Sequence, residues 1–485
     1  MKRFLLLAII AINAFTANAQ DPYADYINFV KQRQSEYREY RKKVNQEFAS
    51  FLEEYWRPFK KEAPLKAKWQ PEPDRPVVFN DPLPKIEPKT DPNVPTMPAR
   101  RFNEEDKPQP VEVPPTEPVT GNSFSLSFYG LTLHFPELFD APFRLDGIQE
   151  KQVAAAWTTL SQTDYKRLLD RCQTYQTSMQ LNDWAYFLLI QQVAEHLCGT
   201  RQNERAFVQM FLLTQSGYKA KIGRAGNRLL LMVPANRTIY QTIFVTIEGE
   251  RYFLMGQKKL EDPSIYTYNK MFAYASKTLD MDIRQPMFLP DDATFERTLK
   301  GKAYQTEAKV QLNQHLIAFF KDYPQCEYPV YVQAPVCQAV YHTLLQDLAK
   351  AVAGKTAVQA ANLLINFVQT AFDYQTDQQQ FGYEKPFYVE ETLFYPYCDC
   401  EDRAILFAFL VEELLHLKVI LLDYPNHIAT AVLFEEPVNG DQVTYQGKQF
   451  TICDPTYINS PIGKAMPQLE QTVPKVIDFA HRIVD

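Results

Sequence analysis

The sequence predicts an α+β protein: two tandem copies of one module, preceded by a long helix and a proline-rich segment. Three observations carry this. An apolar run of helical length, Ala404–Val411, is followed by segments that are apolar or alternate as strands do. Similar peptides recur along residues 121–485 at near-constant offsets, as an internal duplication leaves them. Finally, 15 of the 34 prolines fall within residues 64–118, which sets that stretch apart from any packed core.

The chain has 485 residues, 51 Lys+Arg against 58 Asp+Glu, and a net charge of −7. That length allows roughly three domains. The acidic balance excludes a nucleic-acid binder that works by neutralising phosphates, so no nucleic-acid partner is expected.

Lys2 and Arg3, the apolar stretch Phe4–Phe15 and the small-residue pattern Ala17-Asn18-Ala19 read as a signal peptide over residues 1–19, cut after Ala19. No Cys follows for lipid attachment, and no later stretch is long and apolar enough to span a bilayer. The expectation is an exported, soluble protein, periplasmic or extracellular.

Residues 20–61 read as one amphipathic helix. Tyr23, Ile27, Val30, Tyr37, Val44, Phe48, Phe51 and Tyr55 recur at steps of three, four and seven, with Lys, Arg and Glu between them. Such a helix folds back on its own protein or docks a protein partner. Residues 62–120 are expected to be an extended linker.

The copies are placed at 121–260 and 302–485, joined by a connecting segment at 261–301. Tyr165–Leu169 resembles Tyr341–Leu345, and Leu188–Val193 resembles Leu363–Val368, at offsets of 176 and 175. Glu204-Arg205-Ala206 matches Asp402-Arg403-Ala404, and Gly249–Met255 tracks Gly447–Cys453, at an offset of 198. The second copy therefore carries an aromatic, acidic insertion, roughly Thr376–Cys398.

Chemistry concentrates just after it. Asp399 is placed to cap the helix that begins at Cys400, and a thiol there feels the positive end of the helix dipole, which favours thiolate. Strands are expected at Val419–Tyr424, His427–Glu435 and Gln442–Cys453, with turns at Pro425-Asn426 and Asn439-Gly440. His427 then opens one strand and Asp454 ends its neighbour, so thiol, imidazole and carboxylate can converge. Glu401, Asp402 and Arg403 read as helix-start and ion-pair residues, and His416 as a helix C-cap. Nothing in the sequence selects Asp399 or Glu391 as substrate contacts. The other cysteines, Cys172, Cys198, Cys326, Cys337, Cys398 and Cys453, could pair in 15 ways, and no CxxC pair with His spacing suggests zinc.

The segments CDCEDRA, NHIATAV and ICDPTY, ending at Tyr457, resemble the transglutaminase-like superfamily, papain-like in fold, over Glu391–Tyr457. The resemblance implies Cys400 as nucleophile, His427 as base and Asp454 as the residue that orients His427. It also implies acyl transfer on peptide or protein amides, cell-wall peptide among them, with hydrolysis favoured over cross-linking. No cofactor or metal is implied. Cys398 departs from the pattern, which has a small residue there. Tyr397 is a candidate side-chain donor to the oxyanion. In the first copy Cys400 falls on Gln202, Asp454 on Gly256, and His427 on Leu229 or, with one gap, Arg228; that copy is expected to be catalytically dead. The contrasting reading is a non-catalytic binding or assembly protein with two such modules.

Overall fold

The computed structural model describes residues 22–54, 56–66, 75–86, 95–99 and 119–479; the expected signal peptide and much of the proline-rich stretch lie outside them. The described residues divide into two compact units, those within 1–57 together with 145–165, and those within 58–144 together with 166–485.

In the first unit, α1 (Pro22–Glu54) packs against α2 (Glu150–Gln162). Asn45 accepts a hydrogen bond from the buried Trp157 indole at 3.0 Å, and Phe48 meets the same ring edge-on at 4.7 Å. α1 therefore folds back on α2. The helix ends earlier than the sequence pattern suggests. Pro58 disfavours helix at Arg57, and Arg57–Lys60 is a strand instead.

The second unit is α+β with antiparallel sheets. Its first half contains α3 (Asp183–Cys198), α4 (Gln202–Gln215) and strands β1 (Lys221–Ala225), β2 (Arg228–Pro234), β3 (Phe244–Ile247), β4 (Glu250–Leu254) and β5 (Ser264–Thr267). The second half contains α5 (Ala357–Ala371), α6 (Cys400–Leu415) and strands β6 (Val419–Tyr424), β7 (His427–Val432), β8 (Gln442–Tyr445), β9 (Lys448–Cys453) and β10 (Lys475–Ile477). Spatial order is β3-β4-β2-β1-β5 in one sheet, with the strand Arg57–Lys60 added beyond β5, and β8-β9-β7-β6-β10 in the other, so five strands follow the same path.

Register matches as well. Arg228 faces Ala225 as His427 faces Tyr424, and Met232 faces Leu254 as Ala431 faces Ile452. Each half also opens with a two-stranded hairpin, Ser123–Phe128 with Leu131–Pro136 and Thr294–Lys300 with Glu307–Asn313. These details move two boundaries. β5 lies inside the expected 261–301 connector, and the second hairpin begins before residue 302.

Two local expectations change. Gln442–Cys453 is two strands, not one, because Gln446 and Gly447 take φ of 49° and 75° and turn the chain. That positive-φ pair closes the hairpin there instead of at Asn439-Gly440. The proline-rich stretch, where described, is also docked. Val77 and Phe79 exchange backbone hydrogen bonds with Ile458, and the Phe79 ring lies 5.7 Å from that of Tyr457.

α6 is buried throughout Cys400–Glu412. Its apolar side chains Ile405, Leu406, Phe407, Phe409 and Leu410 are each wholly buried, worth about 1.5–3 kcal/mol apiece. α5 and β7 pack against it, which fixes the start of α6 beside the start of β7. The helix stops at His416, a left-handed cap with φ of 55°.

Candidate active site

Asp399 is the N-cap of α6 and Cys400 its first residue. The Asp399 N–H donates to Asp402 Oδ2 at 3.2 Å, closing the helix start. β7 begins immediately after the two-residue Pro425-Asn426 turn, in which Asn426 takes a φ of 60°, so His427 is fixed by the hairpin geometry. The His427 Nε2 is 2.9 Å from Asp454 Oδ2, just past the end of β9, and both side chains are buried. An ionised carboxylate only accepts, so the proton of this bond sits on Nε2 and Nδ1 is left as the basic nitrogen. Asp454 Oδ1 in turn accepts from the backbone N–H groups of Thr456 and Tyr457, at 2.9 and 3.2 Å.

The Cys400 thiol meets the same strand. The backbone N–H of Ile428, the residue after His427, hydrogen-bonds the sulfur, while Sγ donates to Glu401 Oε2 at 3.1 Å. Among the described residues the sulfur makes no hydrogen bond to the His427 ring. Burial, together with the charges of Glu401 and Asp399, pushes the thiol well above the usual cysteine range. The helix-dipole expectation is overridden here, because desolvation and two adjacent carboxylates outweigh a partial charge of about +0.5. All seven cysteines are unpaired; burial, opposed by Arg403 and assisted by Asp402 and Asp399, pushes Cys398 up to about 12.

The other sequence candidates separate. Tyr397 is 39% exposed, and its hydroxyl makes no hydrogen bond among the described residues. Glu391 is wholly buried and pairs with Lys385, a structural role. Arg403 donates to the carbonyls of Gln369 and Phe372, so it ties α6 to α5.

Three residues escaped the sequence reading. Gln369 on α5 donates to the carbonyls of Asp454, Tyr457 and Ser460, at 3.1, 2.8 and 3.1 Å, and so holds the Asp454 loop. Asp377 and Glu384 come from the acidic insertion, which folds over the start of α6: the Asp377 N–H reaches Asp399 and the Phe387 N–H reaches Asp402. Carboxylate oxygens of Asp377, Glu384 and Glu401 lie within 4.8 Å of one another. That is the span of two oxygens across a Ca2+ ion at ~2.4 Å each, so these residues could hold a hard divalent cation. One oxygen each of Asp377, Asp399 and Glu401 is buried without a hydrogen-bond partner. The insertion's acidity was the only sequence signal for this cluster.

A cavity of about 560 Å³ is lined by Tyr328, Pro386 and Asp423 among others, and Tyr328 lies near Glu401 and Cys400. No helix among the described residues is long and apolar enough to cross a membrane. Compared with known proteins, the chain matches no protein-family model, no curated protein and no solved structure.

Proposed function

We propose that residues 302–485 form a transglutaminase-like, papain-like thiol centre that performs acyl transfer on amide bonds of an exported peptide or protein substrate. The observation that carries this reading is the buried 2.9 Å His427–Asp454 pair beside the thiol that opens α6. In this mechanism His427 Nδ1 takes the Sγ proton as sulfur attacks the amide carbonyl carbon. The tetrahedral oxyanion is met by backbone N–H groups at the helix start, that of Cys400 included. Collapse breaks the C–N bond, His427 passes its proton to the leaving amine, and a thioester remains. Water, deprotonated by the same nitrogen, releases the acid; an amine in its place gives a new amide.

Because burial and neighbouring carboxylates hold the thiol protonated, proton removal accompanies attack instead of preceding it. The first half carries Gln202, Arg228 and Gly256 at the corresponding places and belongs in this reading as a non-catalytic duplicate. A second reading, an assembly protein with no activity, draws on the same thiol's burial at 2% exposure.

Acylation by p-nitrophenyl acetate separates the two. The active reading expects an acetyl group on Cys400 by peptide mass mapping, none there in Cys400→Ala, and a rate lowered by ~100-fold or more in His427→Ala. Label spread over other cysteines, or an unchanged rate in His427→Ala, favours the assembly protein.

A further inference from the structure

We propose that the first half of the second unit contains a binding pocket for the free C-terminal carboxylate of a peptide, at the place where the second half carries its thiol, imidazole and carboxylate. The inference stands on the geometry of the first half and does not depend on acyl transfer by the second.

The matched registers fix the correspondence residue by residue. Across the first hairpin the halves differ by 199 positions, which puts Arg228 where His427 stands; across the second they differ by 198, which puts Gly256 where Asp454 stands. Gln202 and Cys400 are each the first residue of their helix. Gln202, Arg228 and Gly256 line one cavity of about 490 Å³, within the ~300–1,000 Å³ of small-ligand sites.

The cavity exists for a stated reason. In the second half, residues Phe372–Asp399 separate α5 from α6, and this segment folds over the helix start, leaving Cys400, His427 and Asp454 no more than 3% exposed. In the first half the connection is only Gly199–Arg201, and the side chain of Gln202 is exposed. Replacing the aspartate by a glycine removes a further side chain from the floor.

The lining selects the ligand. The Arg228 guanidinium donates to Gln257 Oε1 at 2.9 Å, a neutral partner, whereas the other arginine of the cavity, Arg205, faces Glu195 at 3.5 Å. One guanidinium charge is thus available to an anion, and its planar fork suits a carboxylate. Gln202 and Gln257 offer amide groups of the kind that pair with a peptide backbone. Trp184, stacked on Phe187 at 4.8 Å, gives an aromatic wall for the terminal side chain. The three corresponding positions hold neither thiol nor imidazole nor carboxylate, so the pocket binds without turnover.

The test is calorimetric titration of the full chain with N-acetyl-alanyl-phenylalanine, its C-terminal amide, and N-acetyl-glutamate α-amide, which carries only a side-chain carboxylate. The acid is expected to bind roughly 10-fold or more tightly than either amide. Arg228→Gln should lose that preference. Gln202→Trp, which fills the cavity from its exposed edge, should abolish binding at an unchanged melting temperature, and Cys400→Ala should bind as the parent does. Equal binding of acid and amide, binding of the acid that survives both substitutions, or no heat with the acid at 20 mM (roughly the weakest affinity worth calling a site) overturns the proposal. Equal binding of the glutamate amide overturns the C-terminal assignment.

Discussion

Asp454→Asn isolates the orienting role of the carboxylate from its role in holding the loop. In the native protein the Asp454 carboxylate accepts three hydrogen bonds, from His427 Nε2 at 2.9 Å and from the N–H groups of Thr456 and Tyr457 at 2.9 and 3.2 Å. The asparagine oxygen can keep both backbone bonds. Its NH2 now faces His427 and can only donate, so Nε2 becomes the acceptor and the ring proton moves to Nδ1. The nitrogen that should take the thiol proton is then occupied. In a serine-protease triad the same exchange costs on the order of 10⁴ in rate through the wrong tautomer, and a loss in that direction is expected here.

Stability should change little, by about 1–2 kcal/mol, since the three bonds are kept in number and lose only their charge assistance. Asp454→Ala, by contrast, removes all three bonds and one partner of a buried pair, and should cost about 3–5 kcal/mol. The assays are Cys400 acetylation by p-nitrophenyl acetate, urea unfolding, and the ¹⁵N shifts of the His427 ring, which report the tautomer directly. Native-like acetylation in Asp454→Asn with the proton shifted to Nδ1 would refute the reasoning, because the base would then be irrelevant to the thiol.

Three further outcomes follow from the same structure. Burial, with Asp399 and Asp402 adding to it, pushes Glu384 from its ordinary 4.5 up to about 7, so the folded state holds this proton more tightly than the unfolded chain. Its contribution is complete below about pH 4.5 and is lost as pH rises through about 7; the loss is about 3 kcal/mol, and Glu384→Gln should flatten the melting profile across that range in EDTA-containing buffer. Gln369→Ala leaves the carbonyls of Asp454, Tyr457 and Ser460 without this donor, and should cost about 2–4 kcal/mol in urea unfolding, with acetylation of Cys400 slowed as the loop loosens. Trp157→Phe keeps an aromatic ring against Phe48 but removes the indole bond to Asn45, for a loss of about 1–3 kcal/mol measured on unfolding of the α1–α2 pair.

What the sequence determined by itself is local. The apolar run after Cys400 makes a buried helix whatever surrounds it, Asp399 caps it, and Pro425-Asn426 turns the chain so that His427 opens a strand. These follow from periodicity, capping and turn chemistry, which need only neighbours a few residues away. One local signal misled: Asn439-Gly440 reads as the hairpin turn and Gln442–Cys453 as a single strand, but the pairing of β8 with β9 puts the turn at Gln446-Gly447.

Tertiary structure decided the rest. Gln369 lies 85 positions from Asp454 and is an ordinary helix residue until the two meet. The choice between Arg228 and Leu229 opposite His427 needed the register of β1 with β2. Above all, the burial of Cys400 was out of reach of the sequence. The helix dipole and the neighbouring Asp399 and Glu401 are local, but desolvation, the largest cause of the raised thiol pKa, depends on how the insertion folds over α6.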